Sequence, residues 1–259
     1  MARKPTLSPS KITTYLACPT KYKWTYADDR GRWYLRSRSY FSFGTTLHKV
    51  LQRFHDSGDN GVETVEQAVA AMDESWIDAG YRSAQEMQEA RGEGKSIVAA
   101  HIEHMLVAPS EAKTILVEKP MRLDLGEFDL IGRLDRVDEW PDGTLEIIDY
   151  KSGRDGVTDE YVESDVAMAC YQLMVRAAYP GRPVKASILA LRSNQKGTVS
   201  MSDEEAGQFK SDIIFLGQEI LQRDYEGLDP SYRALCYWCD FLPLCRQHSD
   251  WDEPIPSTD

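Results

Sequence analysis

The sequence of 259 residues lacks several features that mark particular classes of protein. No apolar stretch approaches the roughly 20 residues of a membrane span. The first ten residues, MARKPTLSPS, have no apolar run of the kind found in secretory signals. Cysteine is scarce and odd in number, at five. We therefore expect a cytoplasmic protein in a reducing compartment, with no membrane association, whose clustered cysteines bind metal or serve redox chemistry instead of forming disulfides.

Internal repeats, low-complexity segments and Pro/Gly/Ser-rich linkers are also missing from the sequence. The composition, 42% hydrophobic and 28% charged, is typical of a globular protein. We therefore predict a single domain over residues 1–259. Its expected parts are a helical, basic and aromatic region (1–110), a core of strands (111–201), a last helix with a cysteine cluster (202–246) and an acidic tail (247–259).

Charge is unevenly distributed along the chain. The net charge of −12 argues, taken alone, against a nucleic-acid partner. Residues 1–54 nevertheless hold 11 Lys or Arg and two acids, which leaves 19 basic and 40 acidic residues for the rest. This asymmetry indicates a basic binding face on an acidic body, the alternative being a solvated basic arm.

Aromatic and basic residues are interleaved between residues 20 and 43. Such a mixture suits single-stranded nucleic acid, because bases stack on rings while phosphates meet cations. The alternative is that most of these rings pack against the core. The candidate contacts are Lys21, Lys23, Trp24, Arg30, Arg32, Arg36 and Arg38.

Hydrophobic periodicity predicts the elements of an α/β fold. Ser8 and Pro9 resemble a helix start that Pro19 ends, and Gly44 opens a second helix. An acidic helical region follows at 62–107, with a break near 91–94. Strands are expected at 114–124, 128–139, 144–151, 184–192 and 197–201, and helices at 164–179 and 202–223. Pro141-Asp142-Gly143 predicts a hairpin turn, and the whole pattern predicts a small mixed sheet flanked by helices.

The segment EIIDYKSG (146–153) places an acid and a base on one side of a strand, because side chains alternate. Asp149 and Lys151 could form a surface ion pair, which contributes little. The hairpin, however, brings Asp135 close to Asp149, and two close carboxylates repel unless a cation intervenes. A Mg²⁺ or Mn²⁺ ion would bind both carboxylates, while Lys151 oriented a nucleophilic water. Only this hypothesis gives all three residues a role.

These residues carry a resemblance to a known family. Gly132 and Asp135, followed by Asp149-Tyr150-Lys151, resemble the PD-(D/E)XK nuclease core. The series SPSKITTYLACPTKY, FGTTLHKVLQ, GRLDRVD, IIDYKSG and YQLMVRAAY is similar to its RecB-like branch and extends over residues 8–246. The resemblance implies a restriction-endonuclease-like core, a small mixed sheet flanked by helices, with an N-terminal helical insertion.

The same resemblance implies roles for particular residues. Lys151 would be the catalytic lysine, acting with Asp135 and Asp149, and Gln172 would lie beside it and the scissile phosphate. Arg176 stands where the family usually has a tyrosine; Tyr171 and Arg176 are therefore candidate DNA contacts. The implied metal ligands are His48, Asp135, Asp149 and the backbone carbonyl of Tyr150, with Glu118 as a weaker candidate.

The cysteines also follow a recognisable spacing. Cys236, Cys239 and Cys245 form C-x₂-C-x₅-C, and Cys18 could supply a fourth ligand. Spacing alone leaves zinc and iron–sulfur open. The pattern is similar to the iron–sulfur RecB-like nucleases, including CRISPR-associated exonucleases and the AddB nuclease domain. It implies a [4Fe-4S] cluster that staples the two termini, whereas Cys170 is expected in the core.

The resemblance implies a metal-dependent DNA exonuclease acting on single-stranded ends, 5′→3′ in the iron–sulfur members. Its setting would be DNA recombination, repair or CRISPR-type processing, with partner proteins from those assemblies. The sequence contains no GxxxxGK[ST] motif, so we expect unwinding to need a helicase partner. The alternatives are a structure-specific endonuclease and a non-catalytic DNA-binding subunit of a recombination complex.

Overall fold

A computed structural model describes residues 4–56, 61–153, 156–249 and 251–252. Its centre is a mixed sheet of six strands in the order β1-β3-β4-β5-β6, with β2 paired to β3. β1 and β4 run parallel to β3 and β5 respectively, and the other neighbours are antiparallel. The strands are β1 (Thr6–Leu7), β2 (Lys113–Asp124), β3 (Asp129–Glu139), β4 (Leu145–Lys151), β5 (Val184–Ala190) and β6 (Gln195–Val199).

Helices cover both faces of this sheet, which confirms the predicted α/β class. They are α1 (Pro9–Ala17), α2 (Pro19–Tyr22), α3 (Ser39–His55), α4 (Val65–Glu74), α5 (Ala84–Val107), α6 (Asp159–Ser164), α7 (Val166–Ala178), α8 (Asp203–Gln222) and α9 (Leu242–Cys245). A π-helical turn (Lys23–Ala27) and 3₁₀ turns (Asp29–Trp33 and Ala234–Trp238) connect the terminal segments. None of the helices in the described residues is long and apolar enough to cross a bilayer.

Alternation along β4 separates the two layers of helices. Leu145 and Ile147 face a core cluster built with α1, α7 and α8. Ile148 and Tyr150 face a second cluster, built with α3, α4 and α5. A strand buried on both faces reads as a nearly continuous apolar run. Polar residues in such a strand therefore stand out, and Asp149 is one of them.

Two helix boundaries differ from the sequence-based prediction. α3 begins at Ser39, five residues before Gly44, so the glycine lies inside the helix. α5 runs unbroken through residues 91–94, where we expected a break. A Cβ on Gly94 would lie 2.2 Å from Met72 Cε, so this glycine allows close packing of α5 on α4 and does not end the helix.

Other elements show where local patterns give limited information. The helix expected at 164–179 is confirmed as α7, whose start is fixed by Asp165, which accepts from the backbone N–H groups of Ala167 and Met168. The short helix α6, which comes just before it, was not predicted. β1, two residues long, was not predicted. Most of the expected acidic tail, residues 250 and 253–259, lies outside the described residues.

Two glycines of α8 provide a matched test of core packing. A Cβ on Gly217 would lie 2.3 Å from the buried ring of Phe128, whereas no described atom would lie within 4 Å of a Cβ on Gly207. We expect Gly207→Ala to stabilise the protein by about 1 kcal/mol through helix propensity. Gly217→Ala should destabilise it by about 1–2 kcal/mol, because overpacking outweighs that gain. Urea denaturation measures both; a stabilised Gly217→Ala would contradict this packing.

Candidate active site

The candidate site lies where β3 and β4 separate. These strands pair from Arg136 opposite Ile148 to Glu139 opposite Leu145. Just beyond this stretch lie Asp135 and Asp149. The Oδ2 atom of Asp135 accepts a hydrogen bond of 2.9 Å from the backbone N–H of Tyr150. The carboxylate of Asp135 therefore takes the place of the next backbone hydrogen bond between β3 and β4, and the pairing of the two strands ends there.

An irregular backbone brings Glu118 to the same point. The register of β2 with β3 pairs Val117 with Arg136 and Lys119 with Leu134, so Glu118 lies opposite Asp135. Residues opposite each other in an antiparallel pair project to the same side. Glu118 has φ = 46°, in the left-handed region. For a non-glycine residue this costs about 1–3 kcal/mol, and such strain is concentrated at functional sites.

His48 of α3 completes a group with these two acids. Its Nδ1 atom lies 3.4 Å from Asp135 Oδ1 and 3.7 Å from Glu118 Oε1. One ligand atom from each of the three residues lies within 4.8 Å of the others. The Nε2 atom lies 3.0 Å from the Tyr150 carbonyl oxygen. With Nε2 as the donor, Nδ1 is directed at the carboxylates, where it can bind a cation.

The electrostatics of His48 favour positive charge at this point. Burial alone would lower the pKa of His48, but hydrogen bonds to Asp135 and Glu118 outweigh it and raise that pKa to about 10. The two carboxylates thus stabilise a positive charge at Nδ1, which is a proton on the ring or, in its place, a bound metal ion. Imidazole nitrogen and two carboxylates are a suitable ligand set for Mg²⁺ or Mn²⁺.

Asp149 and Lys151 lie next to this group as an ion pair. Lys151 Nζ is 2.7 Å from Asp149 Oδ2, although that oxygen has no hydrogen bond of good geometry among the described residues. Burial, and then the charge of Asp135, raise the pKa of Asp149 to about 6. Burial opposes the charge of Lys151, but Asp149 outweighs it and raises the Lys151 pKa. A further cation near Asp135 would relieve the repulsion between the two aspartates.

Tyr150 connects the site to the opposite face of the sheet. Its backbone holds Asp135 and His48, while its side chain is buried between α3 and α5. The Tyr150 hydroxyl accepts a hydrogen bond of 2.8 Å from Arg136, which also pairs with Asp138 at 2.7 Å. The expected ligand role of the Tyr150 carbonyl must therefore coexist with the hydrogen bond from His48.

Cavities open on both sides of Lys151. One, of about 500 Å³, is lined by the His48 group, Asp149, Lys151 and the exposed rings of Tyr40 and Phe41. The other, of about 520 Å³, shares Asp149 and Lys151 and is lined further by Ser8, Ser10, Thr13, Arg133 and Tyr171. Sequence reasoning missed half of these residues as parts of the site: Tyr40, Phe41, Ser8, Ser10, Thr13 and Arg133. Arg133 lies within the motif GRLDRVD, which was the available signal.

Gln172 and Arg176 have other partners. The Gln172 side chain is buried and its Oε1 accepts a hydrogen bond of 3.0 Å from the backbone N–H of Met201. Arg176 bonds to the Met201 carbonyl and to Asp203. Both residues hold the start of α8, and neither lines the two cavities at Lys151. Gln172, expected beside Lys151 and the scissile phosphate, and Arg176, a candidate DNA contact, therefore lie away from these cavities, whereas Tyr171, another candidate DNA contact, lines the second of them.

The basic and aromatic segment is largely tied to the protein itself. Arg30 pairs with Asp28 at 2.6 Å, and Arg38 pairs with Asp240 of the C-terminal segment. Arg36 donates its backbone N–H to the same Asp240. The Trp24 ring lies under the Lys23 and Arg30 cations, 5.0 and 5.1 Å from its centroid. Trp24 is therefore not an open platform for a base, whereas Arg32 stacks on the exposed ring of Trp33.

Four of the five free cysteines interact with one another. Burial raises the pKa of Cys245 to about 12, and the charges of Cys239, Cys18 and Cys236 add to this. The pKa of Cys239 is raised in the same way, by burial first. Backbone N–H groups of Lys21 and Arg233 point at the sulfurs of Cys18 and Cys236, each at 3.4 Å. Cys170 is apart from the other four: it lies on α7 and packs in the hydrophobic core, as expected.

The described cysteine sulfurs do not form a compact site for a single ion. No three of the described cysteine sulfurs lie within 4.8 Å of one another, whereas Zn–S bonds of 2.3 Å in a tetrahedron place sulfurs about 3.8 Å apart. The Trp24 indole N–H is buried without a well-formed hydrogen bond and faces Cys245, whose pKa it lowers against the larger effect of burial. Such a donor suits a cluster sulfur or thiolate.

Removal of one carboxylate tests the His48 group. We expect Glu118→Gln to weaken Mn²⁺ binding at least about tenfold, because an anionic ligand is lost. Glu127→Gln, at an exposed position on the β2–β3 turn, is the matched control and should bind normally. Calorimetric titration measures both; equal affinities would rule out Glu118 as a ligand.

The chain matches a family model and distantly similar solved structures. No curated protein matches the sequence. The crystal structure of SSO0001 is 12% identical over 95% of this chain and 88% of its own, with a TM-score of 0.39. That of a "Putative exonuclease" from Eubacterium rectale is 15% identical over 83% and 94%, with a TM-score of 0.37. The family model described as "PD-(D/E)XK nuclease superfamily" matches residues 6–246, and the chain therefore belongs to that superfamily.

Proposed function

We propose that the protein is a Mg²⁺- or Mn²⁺-dependent DNA exonuclease that degrades single strands from their ends. The observation that carries this proposal is the meeting of His48, Glu118 and Asp135 with the Asp149–Lys151 pair at one opening of the sheet. The group offers ligands for a hard cation, and a lysine lies beside it. A binding protein without catalysis has no need of this arrangement.

His48, Glu118 and Asp135 would hold the metal, with Asp149 and the Tyr150 carbonyl next to it. The bound ion would polarise a phosphodiester oxygen and lower the pKa of a water molecule. Lys151, held by Asp149, orients that water and offsets negative charge at the phosphate. Hydrolysis adds the water oxygen to phosphorus and breaks a P–O bond; the proton goes to the departing oxygen, leaving a phosphate monoester and a hydroxyl.

One exposed ring and its cation support DNA single strands as the substrate. The described segment that precedes α3 presents Arg32 stacked on exposed Trp33, which suits an unpaired base and its phosphate. Action from 5′ ends is the direction implied by the iron–sulfur RecB-like nucleases. The setting would be recombination, repair or CRISPR-type processing, with a separate helicase supplying the strand. A structure-specific endonuclease remains the competing enzymatic proposal.

A [4Fe-4S] cluster held by Cys18, Cys236, Cys239 and Cys245 is the second part of the proposal. The two N–H···S contacts and the Trp24 N–H, which has no well-formed hydrogen bond and faces Cys245, support it. Arg233 already donates to the Ala17 carbonyl at 2.9 Å, across 216 positions of the chain. A cluster there would cross-link the same two segments and contribute about 5 kcal/mol through chain entropy.

Linear and circular single-stranded DNA distinguish the proposed activities. With Mg²⁺ or Mn²⁺ we expect loss of the linear strand only, with no cleavage in EDTA, and 5′-labelled strands should lose their label first. Lys151→Ala should lower the rate at least about a hundredfold, because it removes charge stabilisation at the phosphate. Lys210→Ala, at an exposed position on α8, is the control. Cleavage of circles would favour the endonuclease, and undiminished cleavage by Lys151→Ala would refute the assigned mechanism.

Cysteine variants test the cluster separately from the activity. We expect anaerobically purified protein to contain about four iron and four sulfide per chain. Cys236→Ser should lose both and unfold at lower temperature, because the cross-link between the termini is gone. Cys170→Ala should keep its iron, since Cys170 is apart from the other four. One zinc per chain, or full iron content in Cys236→Ser, would refute the cluster.

A further inference from the structure

Three cavities lie next to one another along the sheet opening. The metal cavity contains the His48 group, and the hydroxyl cavity, lined by Ser8, Ser10 and Thr13, shares Asp149 and Lys151 with it. On the other side an acidic cavity of about 820 Å³ shares Tyr40, Ser152 and Gly153 with it. The metal cavity is therefore in the middle, and its two neighbours differ in charge.

The hydroxyl cavity can receive a phosphodiester backbone. Arg133 and Lys151 line it together with the three hydroxyl side chains. Both of its acids have partners: Asp149 pairs with Lys151, and Asp165 caps α7 by accepting from two backbone N–H groups. Hydroxyl and cationic groups are the usual partners of DNA phosphates.

The acidic cavity is unsuited to phosphate. Glu86, Glu89 and Glu93 line it, and the cation lining it, Arg192, pairs with Glu93. Glu86 and Glu89 accept hydrogen bonds from neutral donors, the Arg82 backbone and the Gln85 amide. Like charges at close range in a cleft repel strongly. A strand that entered through the hydroxyl cavity would meet this repulsion just beyond the metal.

Tyr40 and Phe41 lie at that boundary. They are 62% and 64% exposed, and their ring centroids are 4.4 Å apart with an interplanar angle of 44°. Both line the metal cavity, and Tyr40 also lines the acidic one. Phe41 and His48 are seven residues apart on α3, so they share a face about 10 Å apart along the axis. Two large rings are thus held open to solvent, one or two nucleotides from the candidate ligands.

We propose that Tyr40 and Phe41 stack on the terminal base of a single strand whose backbone lies in the hydroxyl cavity, and that the acidic cavity stops the strand there. The inference rests on the proposed nuclease function. It adds a stop, the acidic cavity, which limits how far the strand can pass the metal. A base can meet the rings only when it is unpaired and near an end. Each cut would then release a product of one or a few nucleotides.

Stacking is tested without cleavage. Single strands carrying 2-aminopurine at the first, second or sixth nucleotide from either end are bound with Ca²⁺ replacing Mg²⁺. Fluorescence should be quenched for one end only, at the first or second nucleotide. Tyr40→Ala/Phe41→Ala should abolish that quenching and weaken binding about tenfold to a hundredfold. Phe215→Ala, an equally exposed ring on α8, should change neither.

Cleavage products test the stop. Wild-type protein should release products of one to three nucleotides. Glu86→Gln/Glu89→Gln, which keeps both hydrogen-bonding side chains, should release longer ones and begin to cut circles. Unchanged products would overturn the stop, and unchanged quenching in the double alanine variant would overturn the stacking. Mn²⁺ titration checks that each variant keeps its metal site. If the wild type binds Mn²⁺ but neither binds nor cuts DNA, the nuclease proposal itself is refuted.

Discussion

The repulsion among carboxylates gathered at one point of the sheet governs the architecture of the site. Glu118, Asp135 and Asp149 come from three strands and meet where β3 leaves β4. The protein places Lys151 beside Asp149, Arg133 3.6 Å from Glu118, and the ionisable ring of His48 beside Asp135. A divalent ion would replace the His48 proton and supply the positive charge that Glu118 and Asp135 share.

The rest of the fold holds these groups against their mutual repulsion. Tyr150 is central to this, because its backbone contacts Asp135 and His48 while its side chain is fixed by Arg136 on the other face. Arg136 is itself paired with buried Asp138. The hydrophobic clusters on the two faces of β4 then fix the strand from both sides. Hydrophobic packing away from the opening thus fixes the positions of the charged groups at it.

Local patterns in the sequence predict much of this molecule. Alternation identifies β4, the Pro-Asp-Gly turn identifies the hairpin, and Ser8-Pro9 identifies the start of α1, because each depends on a few neighbouring residues. The same logic places Asp149 and Lys151 side by side. Residue types and order in the chain also bring His48, Asp135 and Glu118 into consideration, although Glu118 was the weaker candidate.

What the sequence could not predict depends on distant contacts. The left-handed backbone of Glu118 and the loss of pairing at Asp135 arise from the fit of β2, β3 and β4 together. Gln172 binds the backbone of Met201 in the segment before α8, and the local pattern of its own helix gives no sign of this contact. Gly44 resembled a helix start, and this hid the first turn of α3, where Tyr40 and Phe41 are exposed.

The backbone of Glu118 has a consequence for the history of this chain. Glycine or asparagine would occupy a left-handed position more comfortably than glutamate. Random variation screened only for resistance to heat would therefore drift toward replacement at this residue. The selected variants would be more stable to heat but would have lost one of the three acids at the opening. Stability and metal binding therefore favour different residues at this position.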